Sequence, residues 1–334
     1  MTPADLSLTV LHAVRRAVDD GALRVEVPPR VTVERARPGG SGEYASNIAL
    51  TLARPAGRSA LDVAGILQER LRDAPGLRDV EITGPGFLNF SLRRDAGAEL
   101  VRAIREAGGA YGSGTALAGT TVRFAGPSNL TESRASVVTE TVVRLLRMQG
   151  ADAGFGGAER MHVRPGTYDV DALGVDAARW ALLRPAPQDR PLDGPPLLVQ
   201  HERNSLFRVR YAHSRVRRLL VNGGQLGLLP SYEGGADVTF GAAASHPRTT
   251  ELLGVLGDHP VVLLAAARHR APDRVARHLE AIADALLAFQ PTVLPLGDEK
   301  PSAAHRSRLA LAEAAGTVLA GGLSVLGISA PDRI

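Results

Sequence analysis

The sequence predicts an α+β domain at its N-terminal end, then a short α/β segment, then an all-α helical bundle. Three observations carry this reading. Up to about residue 107, alternating apolar runs are interleaved with helical apolar stripes. Between residues 120 and 150 there is one strand–turn–helix pattern, too little for a doubly wound sheet, which needs several parallel strands. Beyond about residue 169 the apolar periodicity is helical, with the short connections of a bundle. The expected divisions are residues 1–113, 114–165 and 166–334.

The elements follow in order. Leu8, Leu11, Val14, Ala17 and Val18 give residues 4–20 the spacing of an amphipathic helix. Val25, Val27, Val31 and Val33 alternate around Pro28-Pro29, which reads as strand, break, strand. Gly39 to Gly42 forms a loop, and Asn47 to Ala53 begins a short apolar helix. Ser59 caps the next helix, whose face is Leu61, Ala64, Ile66, Leu67 and Leu71. Val80 and Ile82 lead through Gly84-Pro85-Gly86 into a strand bearing Phe87, Leu88 and Phe90. Asp95 starts a helix to about Ala107, and a Gly-rich linker runs from Gly108 to Gly119. Thr121 to Phe124 is a strand, and Val137, Val138, Val142, Leu145 and Leu146 make a helix face ending near Gly150. Gly154 to Gly157 reads as loop. Leu206, Val209, Ala212, Val216, Leu219 and Leu220 form one apolar stripe. Residues 222–248 are Gly-rich and read as a loop insertion, and helical patterns return at 249–257, 260–269, 272–290 and 302–323.

Composition narrows the chemistry. The absence of cysteine excludes disulfides, thiolate zinc sites and thiol nucleophiles, and suits a cytoplasmic protein. No apolar run of about 18 residues stands out, so no membrane span is expected, and the N-terminus lacks a signal-type pattern. Net charge is only +4, and Lys300 is the only lysine. A GC-rich genome produces that skew, yet arginine forks pair bidentately with phosphates and stack on bases, which suits RNA. Residues 199–334 hold 15 basic and 12 acidic side chains, against 15 and 14 in residues 1–113 and 9 of each between. Charge alone does not point to nucleic acid.

The motifs do. GEYASNIALTLA (Gly42–Ala53) and GPGFLNFSL (Gly84–Leu92) resemble the additional N-terminal domain of arginyl-tRNA synthetases. In that family an aromatic residue and an asparagine on such a strand hold a D-loop base at the tRNA elbow, which implies Phe87 and Asn89 here. An unstacked base can stack on an aromatic face while an amide reads its edge. Read without the resemblance, Phe87 and Phe90 are core residues and Asn89 caps a turn. GVDAARWALL (Gly174–Leu183), NSLFRVRYAHSRV (Asn204–Val216), ALLAFQ (Ala285–Gln290) and LSVLGISAPDRI (Leu323–Ile334) resemble the family's DALR-type anticodon-binding bundle. Arg210 stands where the family usually has glutamine, and Ile334 where methionine is common. Arg208, Tyr211, Arg215 and Arg218 fall at i, i+3, i+7 and i+10, one helix face, where Tyr211 could stack a base and the arginines pair with phosphates. A solvated arginine face is the plain alternative. The resemblance adds Ile334 as an anticodon-side contact, and His213 reads as a core histidine.

The catalytic motifs are missing. Thr120 to Gly150 resembles the strand, turn and helix around the first ATP motif of class I synthetases, but the P-T-G-P-x-H-x-G-H portion is replaced by Ser128 to Ser133. Thr167 to Arg179 resembles the stretch after the second motif, and Met161 to Gly166, directly before it, holds no lysine. About 30 residues separate the two motif positions. Phosphoryl chemistry needs several fixed donors in a closed site. No HExxH, Walker loop or G-x-S-x-G is present, and Glu132 and Glu140 read as solvated, so no catalytic residue, metal site or cofactor is assigned.

The resemblance therefore implies a truncated arginyl-tRNA synthetase paralogue that binds tRNA at the elbow and anticodon stem-loop, arginine tRNA being the natural candidate, without activating an amino acid. Two alternatives stand beside it. One is a protein-interaction module or accessory subunit of a full-length synthetase or tRNA-dependent biosynthetic enzyme. The other, by homology, is arginine–tRNA ligase activity with ATP binding.

Overall fold

Helix α1 (Pro3–Asp19) turns Leu6, Val10, Val14 and Ala17 into the first core, as its spacing predicts. The computed structural model describes residues 3–36, 41–74, 76–92, 96–126, 134–168, 170–231 and 247–334. The expected loop at Gly39-Gly40, the helix start at Asp95, the turn at Pro127 to Ser133 and most of the Gly-rich stretch lie outside the described residues. The chain divides into two compact units, Met1–Leu100 and Val101–Ile334.

In the first unit, β1 (Glu34–Arg35), β2 (Tyr44–Ser46), β3 (Leu77–Thr83) and β4 (Phe87–Leu92) form an antiparallel sheet in the order β1-β2-β4-β3. Helices α1, α2 (Ile48–Ala56) and α3 (Ala60–Leu71) share a core with Tyr44, Val80, Leu88 and Phe90 from the sheet. The expected strands around Pro28-Pro29 do not form. Val31 is buried, and Val25, Val27 and Val33 pack against the core from an extended segment, because two prolines without N–H groups cannot join a ladder. Ser59 caps α3, its Oγ accepting from the Asp62 N–H at 3.0 Å. Leu61 is 54% exposed, off the line that Val63, Leu67 and Leu71 bury. The β3–β4 turn presses on the start of α3. A Cβ on Gly86, whose φ is +128°, would stand 2.8 Å from the Ala60 carbonyl oxygen, so only glycine fits.

The helix α4 (Ala96–Ala107) leads to a 3-10 turn (Gly108–Ala110) and then to β5 (Thr121–Phe124), α5 (Arg134–Met148) and β6 (Asp152–Phe155). Strands β5 and β6 pair in parallel, from Thr121 opposite Asp152 to Phe124 opposite Phe155. The loop expected from Gly154 onward is thus partly strand. Its Asp-Ala-Gly sequence has no strand propensity, and pairing with β5 decides the outcome. The remaining regular elements among the described residues are helical and include α6 (Val170–Leu173), α7 (Val175–Leu183), α8 (Ser205–Gln225), α9 (Pro247–His269), α10 (Asp273–Phe289) and α11 (Ala303–Leu326). Helices α8, α10 and α11 pack on one another, with α9 against α10. A Cβ on Gly316 of α11 would lie 2.8 Å from Val216 Cγ1, so this small residue lets α8 approach. Among the described residues two helices, α9 and α11, reach the length and apolarity of a membrane span, although no unbroken apolar run of that length stands out in the sequence. Most of the α11 stretch is buried in the bundle, where its apolar surface is spent on packing.

The two helical patterns on either side of Pro260 are one helix. Proline cannot donate to Leu256 O four residues earlier, and the Tyr111 hydroxyl donates to that oxygen instead, at 3.3 Å. Tyr111 stacks on His259, which stacks on His278, with centroids 5.9 and 5.4 Å apart. Burial, helped by His278, pushes the His259 pKa down to about 3. His259 is therefore neutral when folded but protonates near its ordinary value of 6.5 when unfolded. The unfolded state binds the extra proton, so this contribution is full above about pH 6.5 and falls by about 1.4 kcal/mol per pH unit on acidification toward pH 3. Urea midpoints at pH 7 and 5, read by fluorescence of the single tryptophan, Trp180, are expected to differ more in wild type than in His259→Phe. Equal differences would refute the assignment.

Candidate nucleic-acid interface

In the first unit the sequence-predicted pair lies on β4. The period-two rule sends Leu88 and Phe90 inward to full burial and places Phe87 and Asn89 on the opposite face. Phe87 is 39% exposed beside the Gly84-Pro85-Gly86 turn, with Thr83 as its cross-strand partner. Asn89 is buried. Its Nδ2 donates to Thr83 Oγ1 at 2.7 Å and reaches the Glu81 carbonyl at 3.5 Å. Phe87 is thus partly exposed to solvent, whereas the Asn89 amide is buried and its Nδ2 is committed to Thr83. Glu81, the cross-strand partner of Asn89, is exposed, so this face carries a carboxylate rather than a phosphate-binding cation.

In the second unit the arginine-rich helix is α8. Asn204 caps it, accepting from the Phe207 N–H at 3.2 Å and donating through Nδ2 to Leu197 O (2.8 Å) and Val199 O (2.9 Å). Trp180 Nε1 donates to Ser205 Oγ at 2.9 Å, fixing the same end to α7. Leu206, Val209, Ala212, Val216 and Leu219 are buried, and Leu220 is half-buried at the margin. The line of Arg208, Tyr211, Arg215 and Arg218 emerges beside this stripe. Tyr211 is 37% exposed and stacks on Phe207, centroids 5.5 Å apart at 19°. Phe207 stands four residues before Tyr211, the spacing that brings rings together on a helix. Arg208 pairs with Asp284 of α10 at 3.3 Å, and Arg215 Nε donates to Gln290 Oε1 at 3.2 Å. Arg218 is exposed, with no ion pair among the described residues.

The other flank of α8 holds the final residues. Ser329 donates to Asp176 of α7 from both its N–H, at 3.0 Å, and its hydroxyl. Arg210 reaches Ser329 Oγ at 3.3 Å and Asp176 Oδ2 at 3.5 Å, so the arginine that replaces glutamine has its own anchoring task. His213 is buried with Nδ1 3.0 Å from Pro331 O, and burial lowers its pKa against that bond. Ser214 donates to Asp332 O at 3.1 Å, and Arg217 pairs with the Asp332 carboxylate at 2.8 Å. Ile334, 46% exposed, then lines a groove of about 340 Å³ with Leu198, Val199, Phe207 and Arg210.

Around the former motif positions, Arg134 is the organising residue. It is 1% exposed at the start of α5. Its guanidinium donates to Leu182 O (2.9 Å), Pro185 O (2.9 Å), Ala186 O (2.8 Å) and Asp189 O (2.6 Å), and reaches Arg164 O at 3.3 Å. Its N–H donates to Gly166 O at 2.9 Å. Burial lowers its pKa, while the Asp189 and Asp273 carboxylates oppose this. The segment ending at Gly166, where the second motif would stand, is thereby tied to the helix that follows the first. Glu140, read as solvated, instead pairs with Arg179 at 2.9 Å and Arg144 at 2.8 Å. Those arginines also donate to Leu326 O and Val325 O, both at 2.8 Å.

Residues 8–92 match the profile described as arginyl tRNA synthetase N terminal domain, and residues 209–334 the DALR anticodon binding domain. An arginine–tRNA ligase of Frankia alni is 28% identical over 557 aligned positions spanning all of both chains. This chain has 334 residues, so that ligase contains a long stretch absent here. An arginine–tRNA ligase of Micrococcus luteus is 40% identical over 164 residues, 46% of this chain and 30% of its own. The solved structure of Thermus thermophilus arginyl-tRNA synthetase matches the fold at a TM-score of 0.71 with 12% identity over all of both chains. That of the Plasmodium falciparum enzyme matches at 0.65 with 8% identity over 99% of both. With its N-terminal domain, its DALR domain and its fold all matched, the chain belongs to the arginyl-tRNA synthetase family.

Proposed function

We propose that the chain binds tRNA, using the Phe87–Asn89 face for the elbow and the α8 surface with Ile334 for the anticodon stem-loop, and does not activate an amino acid. The observation that carries the reading is the Tyr211–Phe207 stack, exposed between Arg208 and Arg215 at a surface anchored by Asn204 and the last residues. A preformed aromatic platform flanked by arginines suits one unstacked base and its neighbouring phosphates. The second half rests on the two-stranded parallel sheet, on the lysine-free segment Met161–Gly166, and on the long stretch that the Frankia ligase has and this chain lacks. Lys300 is too distant in sequence to replace a motif lysine.

A gel-shift series over several tRNAs tests the first half. With three or four phosphate contacts, affinity is expected to fall on the order of a hundredfold between about 50 and 200 mM salt. No shift with any tRNA at low salt would remove the proposal. Arginine-dependent ATP–pyrophosphate exchange is expected to stay at background, and exchange above it would restore the ligase reading that the relatives' names carry.

A further inference from the structure

We infer that Asp284 is a specificity-determining residue of the α8 surface: its carboxylate occupies the Arg208 fork that an RNA phosphate would take. The inference rests on the tRNA-binding reading and concerns which RNAs that surface rejects. Asp284 Oδ1 lies 3.3 Å from Arg208 Nε, and Asp284 Oδ2 3.5 Å from Nη2, a two-point approach of the kind a phosphate makes. The pair is open to competition, since the Asp284 side chain is 55% exposed and that of Arg208 31%. It is also imperfect. Arg208 Nε is shielded from solvent yet makes no well-angled hydrogen bond, so one long hydrogen bond, from Nη2, and charge hold the pair. One helical stretch further on, Arg215 meets, among the described residues, only the neutral amide of Gln290, and Arg218 is exposed. The line is therefore graded, from an arginine held by a carboxylate beside Tyr211 to an exposed arginine beyond it.

This grading discriminates between ligands. An RNA that offers only phosphates must displace Asp284 and face its charge, exchanging one ion pair of Arg208 for another. An RNA that also places an unpaired base on Tyr211 gains stacking, which outweighs an exposed ion pair worth at most about fivefold in an equilibrium constant. Asp284 lowers indiscriminate phosphate binding more than it lowers binding of an RNA loop.

The test compares wild type and Asp284→Asn against total tRNA and a short RNA duplex without unpaired bases, at about 50 to 200 mM salt. The variant is expected to bind the duplex about two- to fivefold more tightly at the low end, with a salt slope steeper by up to about 0.9, and to gain less on tRNA. Glu251→Gln removes the same charge from an exposed site on α9 and is expected to give a smaller gain. In the double variant Arg208→Ala/Asp284→Asn the gain disappears relative to Arg208→Ala. Wild type that binds neither RNA overturns the tRNA-binding reading and this inference with it. Wild type that binds tRNA, with Asp284→Asn unchanged, matching Glu251→Gln, or still gaining without Arg208, overturns the inference alone.

Discussion

Replacing Arg134 by methionine is expected to lower the unfolding free energy of the second unit by about 3–5 kcal/mol. Methionine fills much of the volume but donates nothing, so the carbonyls of Leu182, Pro185, Ala186 and Asp189 lose their partner in the interior. Each buried acceptor left unpaired costs about 1–3 kcal/mol, and partial rehydration of the 185–189 segment keeps the total below the sum. Arg134→Lys is expected to recover less than half, because an ammonium is a point donor and cannot span a fan of carbonyls as a planar fork does. Urea unfolding followed by Trp180, fully buried in the same unit, measures the loss. A shift under about 1 kcal/mol would show that these bonds add little over water.

Tyr211→Ala is expected to weaken tRNA binding by about 1–3 kcal/mol, or five- to 150-fold, while leaving the salt slope unchanged. The ring contributes stacking and no phosphate contact. Arg218→Ala is expected to do the reverse, costing less affinity but flattening the slope by about 0.7–0.9. Tyr211 is more than a third exposed and Arg218 is exposed, so neither change disturbs the bundle. A Tyr211→Ala variant that keeps full affinity would remove the base platform from the proposal, and a flattened slope would reassign Tyr211 to the backbone.

Much of this arrangement was legible in the sequence because local periodicity and tertiary demand agree. The stripe from Leu206 to Leu219 is buried as its spacing requires, and Leu88 and Phe90 face inward as alternation requires. What escaped depends on distant partners. Strand β6 exists because β5 lies beside it, and α9 continues through Pro260 because Tyr111, far back in the chain, takes over the orphaned carbonyl. The valines before residue 34 alternate like a strand and are buried like one, yet two prolines deny them the ladder. The candidate site divides the same way. A helical wheel finds the line from Arg208 to Arg218, but nothing in α8 reveals that Asp284 and Gln290 meet it, or that Asp332 takes up Arg217.

The bonds that Arg144 and Arg179 donate to Val325 and Leu326, that Ser329 donates to Asp176, and that join His213 to Pro331 have a consequence during synthesis. The first unit closes its core within the first hundred residues and can fold while the ribosome is still translating the rest. The second cannot. Its α5, α7 and α8 can make the Glu140 pairs with Arg144 and Arg179, but their bonds to residues 325–332 wait until that segment has left the exit tunnel. The flank of α8 that carries Arg210, His213 and Arg217 is therefore completed later than the line of Arg208 and Arg215, whose partners are Asp284 and Gln290, and a nascent chain stalled before residue 325 would carry a folded N-terminal unit and an unfinished second one.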